Sequence, residues 1–196
     1  MALFSTEGSN EPTVVDLLRK DHETVKQLFR DFEAAEGIGE QGMIAQQILK
    51  ELEVHAAAEE KVFYPAVRED SPDAGSKLDE SREEHHLARL LIRELAKMTP
   101  EDERFSAKLR VLAESVRHHI KEEEAEIFAR ARTGKLDLID LGRRLQTEKR
   151  TVEAALDAQP KAEKAKPRRK KTPTTSARSR SPRSKSSGRK SKRRAA

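Results

Sequence analysis

The chain has 196 residues, of which 38% are charged and only 4% are aromatic, and it contains neither cysteine nor tryptophan. A chain of this length forms one sizeable core, and the lack of cysteine excludes disulfides, iron–sulfur clusters, thiol peroxidases and Cys-ligated zinc. Its first residues show no signal peptide, and no apolar run is long enough to cross a bilayer. We therefore expect a cytoplasmic protein without membrane contact.

The net charge of +5 conceals two segments of opposite charge. Residues 160–196 contain sixteen Lys or Arg and one acid, Glu163, which gives +15. Residues 1–159 contain the other twenty-four bases and thirty-four acids, which gives −10. The sequence thus predicts an acidic folded part followed by a basic tail.

Composition and capping signals predict five helices, over residues 12–35, 43–68, 71–98, 99–132 and 136–158. Three of the predicted starts contain a first-turn proline, namely Pro12, Ser71-Pro72 and Thr99-Pro100. The loop between the first two helices is predicted from its glycines, Gly37, Gly39 and Gly42. Pro65 predicts a kink or an end in the last turn of the second helix. We expect an all-α protein.

Each of the first four helices carries an apolar stripe with the three-and-four spacing of a helical bundle. One histidine lies near the middle of every stripe: His22, His55, His85 and His119. In the second and fourth stripes a glutamate follows four residues later, on the same face and one turn away: Glu59 and Glu123. The same register places His86 and His118 on solvated faces.

The two halves of this region repeat each other. Asp21-His22 is matched by Glu84-His85, and the first and second histidines are 33 residues apart in one half and 34 in the other. Two helical hairpins related by a pseudo-twofold axis would bring all six inward polar groups together midway along the bundle.

Buried imidazoles and carboxylates without partners cost several kcal/mol, so a bound metal is the favoured explanation. Imidazole and carboxylate ligands without sulfur suit two iron ions with an oxo or hydroxo bridge, or else manganese or zinc. The remaining coordination positions would admit water, dioxygen or peroxide. The predicted ligands are His22, His55, Glu59, His85, His119 and Glu123, with Glu60 and Glu124 as reserve carboxylates.

Two other interpretations account for some of these residues. The histidines could be ordinary hydrogen-bonded core residues, although six buried polar groups rarely satisfy one another. A ferritin-like di-iron site would need two Glu-x-x-His motifs. The only match, Glu83 with His86, lies on the outward face.

Four segments together resemble the hemerythrin-like (HHE cation-binding) domain family: KDHETV, HAAAEEKVFYP, EEHHLARLLIREL and HHIKEEEAEIF. The resemblance covers residues 12–132. It implies an up-down four-helix bundle with a non-haem di-iron centre that binds dioxygen, nitric oxide or peroxide, or senses iron or oxygen. We expect this domain to lie between a flexible N-terminus, 1–11, and an amphipathic C-terminal helix within 133–158.

The chain departs from the oxygen-carrying members of that family. Those carriers have a fifth histidine from a His-x-x-x-His pair on the third helix, where this chain has Arg89 after His85 and Ser81 before it. The carriers also have His-x-x-x-x-Asp where this chain has His119 and Glu123. These departures favour peroxide turnover, or redox or iron sensing, over reversible oxygen transport, and they leave open whether the protein is an enzyme.

The tail, 159–196, is predicted to be disordered because residues 160–196 contain no large apolar side chain. Its segments resemble linker-histone and Arg-Ser tails, and its charge favours nucleic-acid binding without sequence choice. Such binding would place the protein in the nucleoid. A solubilising tail, or one that binds the chain's own acidic part, is the alternative. For the whole protein, the alternatives are a metal-free helical nucleoid or interaction protein and an iron-storage or iron-delivery protein.

Overall fold

The computed structural model describes residues 11–158, and these residues form helices without any β-strand. The α-helices are α1 (Val14–Ala34), α2 (Ile38–Ala58), α3 (Tyr64–Asp70), α4 (Gly75–Leu95), α5 (Phe105–Glu122), α6 (Phe128–Thr133) and α7 (Leu138–Asp157). A 3₁₀ turn, Pro72–Ala74, precedes α4, and two π-helical segments, Glu59–Phe63 and Glu123–Ile127, join α2 to α3 and α5 to α6. The predicted all-α class is confirmed.

These elements form four bundle helices and a fifth helix beside them. The second bundle helix is α2 with α3, and the fourth is α5 with α6, each continuous through its π-helical segment. Helix α1 packs against α2, and α4 packs against α5, which gives the two predicted hairpins. Helix α7 packs against α1, α2 and the first π-helical segment.

All five helix starts differ from the predicted ones: the corresponding α-helices begin at Val14, Ile38, Gly75, Phe105 and Leu138. The first helix begins at Val14 because Thr13, not Pro12, is the N-cap, in a reciprocal capping box with Asp16. The second begins at Ile38 rather than at residue 43, so that two of the predicted loop glycines lie inside it. Apolar contacts along the rest of the helix outweigh the weak helix propensity of these glycines.

The fourth bundle helix begins at Phe105, later than the predicted start at Thr99. The Asp102 carboxylate does accept a hydrogen bond from the Thr99 backbone N–H, at 2.7 Å, as a capping residue would. This contact closes an isolated turn that precedes α5 instead of opening the helix. The fifth helix begins at Leu138, where Asp137 caps it by accepting from two backbone N–H groups.

Both π-helical segments begin at a glutamate that the sequence places on an apolar stripe. The Tyr64 N–H donates to the Glu59 carbonyl, and the Phe128 N–H donates to the Glu123 carbonyl, each five residues back. Pro65 lies in the first turn of α3, but the second segment has no proline there, so proline alone does not cause the wider turn. Single π turns inside α-helices often mark functional sites.

The apolar core consists of two clusters, one towards each end of the bundle. One includes Phe29 and Leu112, and the other includes Leu18 and Phe63. The predicted histidine and glutamate positions fall between the two clusters along each helix. A layer of buried polar side chains therefore divides the core.

Helix α7 closes one side of this core. Leu141 and Leu145 are buried in the same cluster as Leu18. A Cβ atom at Gly142 would lie 2.8 Å from the Pro12 carbonyl oxygen, so glycine permits the close approach of α7 to the start of α1. No helix of the described residues is long and apolar enough to cross a membrane. The basic tail and its predicted disorder lie outside the described residues, as does all of the predicted flexible N-terminus except Glu11.

Candidate metal centre

All six predicted ligands lie in the buried layer between the two apolar clusters. Their side chains are at most 7% exposed, and those of the two glutamates are fully buried. Each bundle helix contributes one histidine, and the two helices with π-helical segments also contribute Glu59 and Glu123. The predicted register therefore brings the whole set together.

The two carboxylates lie between two histidine pairs. Glu59 Oε2 is 3.2 Å from His55 Nε2 and 3.4 Å from His85 Nε2. Glu123 Oε2 is 3.2 Å from His22 Nε2 and 4.0 Å from His119 Nε2. Each carboxylate thus faces one histidine from either half of the sequence repeat.

The donor atoms form two groups, within each of which all the atoms lie within 4.8 Å of one another. The first group is His22, His55, Glu59 and Glu123, and the second is Glu59, His85 and His119. Because Glu59 belongs to both, the arrangement fits two adjacent metal positions that share a carboxylate.

Each of the four inner histidines turns Nε2 towards the centre and Nδ1 towards a second carboxylate outside it. The Nδ1–carboxylate pairs are His22–Glu124 at 2.9 Å, His55–Asp21 at 3.3 Å, His85–Glu60 at 3.0 Å and His119–Glu84 at 2.8 Å. Metal-bound histidines usually have such a partner, which fixes the ring orientation and the tautomer.

The outer carboxylates follow the pseudo-twofold repeat. Two of them directly precede a histidine of one hairpin helix and bind the histidine of the next helix: Asp21 and Glu84. The other two directly follow an inner glutamate and bind a histidine of the opposite hairpin: Glu60 and Glu124. The sequence predicts Glu60 and Glu124 only as reserve ligands, and it predicts no ligand role for Asp21 or Glu84.

Several donor atoms of the inner set lack a partner. Among the described residues, the buried polar side-chain atoms without a hydrogen bond are His22 Nε2, His55 Nε2, Glu59 Oε1 and both carboxylate oxygens of Glu123. The contact of 3.2 Å between His22 and Glu123 lacks hydrogen-bond geometry. Leaving such groups unpaired in a core costs about 1–3 kcal/mol each, and a bound cation would satisfy them together. The residues present therefore fit a metal centre.

The protonation of the inner residues is consistent with that fit. Burial raises the pKa of Glu59 well above its usual range, and the nearby Glu123 carboxylate raises it further. Burial also opposes ionisation of Glu123, but His22 and His119 outweigh it and lower the pKa of this carboxyl to about 2. Burial lowers the pKa of His55 to about 4, so its imidazole is neutral at pH 7, as a metal ligand must be.

The two outward histidines lie where the register predicts. His86 is exposed on α4, and the His118 side chain is 62% exposed on α5. His118 forms a surface group with Glu84 and Glu122, but Lys77 already pairs with Glu122. Neither of these histidines reaches the buried layer.

Two aromatic residues flank the centre at equivalent positions directly after the π-helical segments. Phe128 stacks on His22 with ring centroids 5.6 Å apart, and Tyr64 stacks on His85 at 5.7 Å. The Tyr64 hydroxyl also donates to Glu59 Oε2 at 3.4 Å. Both aromatic residues lie inside the family-like motifs, HAAAEEKVFYP and HHIKEEEAEIF, but helical periodicity alone does not predict either contact.

A small cavity of about 30 Å³ adjoins the four histidines. Its apolar wall is formed by Val25, Leu52, Ala56, Ala88, Ile92, Val116 and Ile120. Its polar lining includes Arg89, whose guanidinium donates to Glu60 at 2.8 Å. This volume holds roughly one or two water-sized molecules.

The fold and the buried layer together define a helical bundle with a paired histidine–carboxylate centre. A family model described as the hemerythrin HHE cation binding domain matches residues 13–131. The chain belongs to this family.

Two relatives can be compared with the chain. A protein named DNA nickase from Nostoc sp. (strain PCC 7120) is 30% identical over 129 residues, which are 65% of this chain and 36% of that protein. The chain thus spans about a third of that relative's length. The crystal structure of a hemerythrin HHE cation binding domain-containing protein from Mycobacterium kansasii has a TM-score of 0.62. The match covers 74% of this chain and 89% of the Mycobacterium chain. Because the two sequences are only 18% identical, this likeness supports the fold alone.

Proposed function

We propose that this protein binds two iron ions in the buried layer and uses them to react with dioxygen or peroxide, or to sense iron or redox state. The observation that carries the proposal is the convergence of four Nε2 atoms and two buried carboxylates, one of them shared by both donor groups, with buried donor atoms that lack partners. The cation-binding family to which the chain belongs supports the same conclusion.

The donor set favours iron. Imidazole and carboxylate donors without sulfur suit iron, with manganese or zinc as competitors that share these preferences. Bound iron would supply one-electron redox chemistry and coordination positions for a small ligand. Four imidazoles and two bridging carboxylates fill about eight of the roughly twelve positions that two six-coordinate ions offer.

The surrounding side chains suit a small ligand. The adjoining cavity has an apolar wall, and its volume of about 30 Å³ admits a molecule the size of dioxygen, nitric oxide or peroxide. The raised pKa of Glu59 keeps a proton on this carboxyl in the metal-free protein. The Tyr64 hydroxyl lies next to the same carboxyl, so two exchangeable protons are close to the centre.

We further propose that residues 160–196 bind nucleic acid. Their net charge of +15 supports electrostatic binding to phosphates without sequence choice. The Nostoc relative is named a DNA nickase, and this name supports a link to DNA for this chain. Together the two proposals place an iron centre that consumes oxidants, or captures iron, beside DNA.

Anaerobic stopped-flow spectroscopy tests the proposed reactivity. Protein loaded with Fe²⁺ and then mixed with dioxygen or hydrogen peroxide is expected to oxidise and to stay oxidised when the oxidant is removed. The His86→Ala variant should behave in the same way, because His86 is exposed and outside the layer. Full return of the reduced spectrum on removal of oxygen would instead indicate a reversible carrier and would contradict the proposal.

A further inference from the structure

The Asp21 carboxylate joins the centre to helix α7. Its Oδ2 atom lies 3.3 Å from His55 Nδ1, and its Oδ1 atom accepts a hydrogen bond from Lys149 Nζ at 2.6 Å. Both oxygens are therefore engaged, one by an inner-layer histidine and one by α7.

This contact is partly shielded from water. The Asp21 side chain is 14% exposed and the Lys149 side chain 20%. A charge-assisted hydrogen bond at this length and burial is stronger and more directional than an exposed ion pair. It holds the carboxylate in the one orientation that presents Oδ2 to His55.

Glu148, the residue before Lys149, connects α7 to the π-helical segment that carries Glu59. Glu148, 16% exposed, pairs with Lys61 at 3.1 Å, and Lys61 lies two residues after Glu59 in the first π-helical segment. Leu145, one turn earlier, is fully buried in the core cluster. One turn of α7 is thus fixed against both the Asp21–His55 pair and the segment that carries Glu59.

Only one half of the centre has this support. The equivalent carboxylate of the other half, Glu84, binds His119 in the same manner at 2.8 Å. Within residues 11–158, however, its remaining ion-pair contact is with the exposed His118, at 3.9 Å, and no lysine takes the place of Lys149. Helix α7 breaks the pseudo-twofold symmetry at His55.

We infer that Lys149 is a positioning residue for the metal position formed by His22 and His55, acting through Asp21, and that this position and α7 are coupled. The inference rests on the proposed metal binding. Because coupling is reciprocal, metal at this position stabilises the docked α7, and docked α7 strengthens metal binding there. Glu60 and Glu84, the outer carboxylates of His85 and His119, form no ion pair with α7 among the described residues, so Lys149 acts on the first position.

The test is a Co²⁺ titration of the metal-free, full-length protein. Binding is monitored by calorimetry and by the visible absorption of Co²⁺. Wild type should bind about two Co²⁺. Lys149→Met should weaken one position by about tenfold, as loss of outer-shell support does, and leave the other unchanged. Lys149→Arg, which keeps the charge, should restore most of the loss. Lys50→Met is the matched control, since Lys50 pairs with Asp157 of α7 at 2.8 Å without touching Asp21.

Identical titrations of wild type and Lys149→Met, or equal weakening by Lys50→Met, would overturn the inference while leaving the metal centre in place. Wild-type protein that binds no Co²⁺ would overturn the proposed metal binding and this inference with it. Hydrogen–deuterium exchange of the wild-type protein is a second test, and it does not depend on whether a variant folds. Co²⁺ should slow amide exchange in α7 around Lys149, and unchanged exchange there would also overturn the coupling.

Discussion

Oε1 of Glu60 lies 3.0 Å from Nδ1 of His85, on the side of the ring that faces away from the centre. The same oxygen accepts a hydrogen bond from Arg89 at 2.8 Å. Burial raises the pKa of Glu60, but the hydrogen bonds from His85 and Arg89 outweigh it and lower this pKa to about 2. Glu60 is therefore an ionised carboxylate that orients an imidazole, and Arg89, one turn after His85, supports it.

Replacing Glu60 should weaken metal binding without removing a ligand. We expect Glu60→Gln to retain two metal ions with about 10–100-fold lower affinity, measured by competition with a chelator. Glu59→Gln, the neighbouring change in the inner layer, should lose at least one ion at any practical concentration. If the two variants behave alike, the assignment of inner and outer carboxylates is wrong.

The adjacent histidines of α4 give a second contrast. His85→Ala should lose metal because His85 is buried in the layer, whereas His86→Ala should keep it because His86 is exposed. His119→Ala and His118→Ala should differ in the same way. Metal content after gel filtration measures both pairs, and an inverted result would show that the helical register is wrong.

Metal binding should depend on pH in a direction set by Glu59 and His22. Burial and the Glu123 carboxylate raise the pKa of Glu59. Burial lowers the pKa of His22, but the surrounding carboxylates outweigh this effect, so the pKa of His22 is raised. Both shifts favour protonated forms that a metal ion must displace, so affinity falls as pH falls. The raised pKa of Glu59 also destabilises the metal-free fold as pH rises above the ordinary glutamate pKa, because the unfolded chain then releases this proton more readily than the folded protein.

The stabilisation by metal should therefore grow from about pH 5 to about pH 8. The measurement is the difference in Tm between metal-loaded and metal-free protein across that range. In the metal-free protein, Glu59→Gln should reduce the loss of stability as pH rises, because glutamine does not titrate. A difference that stays constant, or shrinks as pH rises, would contradict the proposed competition between protons and metal.

Removing the basic segment should separate the two proposed functions. Truncation after Gln159 is expected to abolish binding to DNA of arbitrary sequence, because the remaining chain carries −10. Metal content should not change, since no predicted ligand lies beyond Glu123. Gel-shift assays at several salt concentrations measure the effect. Unchanged DNA affinity after truncation, or no binding by the full-length chain at low salt, would remove nucleic acid from the account.

The sequence could predict the inner layer because helical periodicity determines which face a residue occupies. The apolar stripes distinguish His85 from His86, and the sequence repeat shows the same pattern in both halves of the bundle. Periodicity cannot predict contacts between helices, so the pairing of Asp21 with His55, or of Lys149 with Asp21 across 128 residues, required the structure. The π-helical segment at Glu59 was unpredictable for another reason: it follows from tertiary packing and has no local sequence signal comparable to a cap.

The most direct test of the central proposal is metal analysis of the full-length protein, reconstituted anaerobically with Fe²⁺ and freed of excess iron. The six inner side chains should retain about two irons per chain. After oxidation the protein should absorb in the near ultraviolet. The His22→Ala/His85→Ala double variant, which removes one ligand from each position, should lose both features. Retention of less than about one iron per chain by fully reconstituted wild type would contradict the two-metal centre.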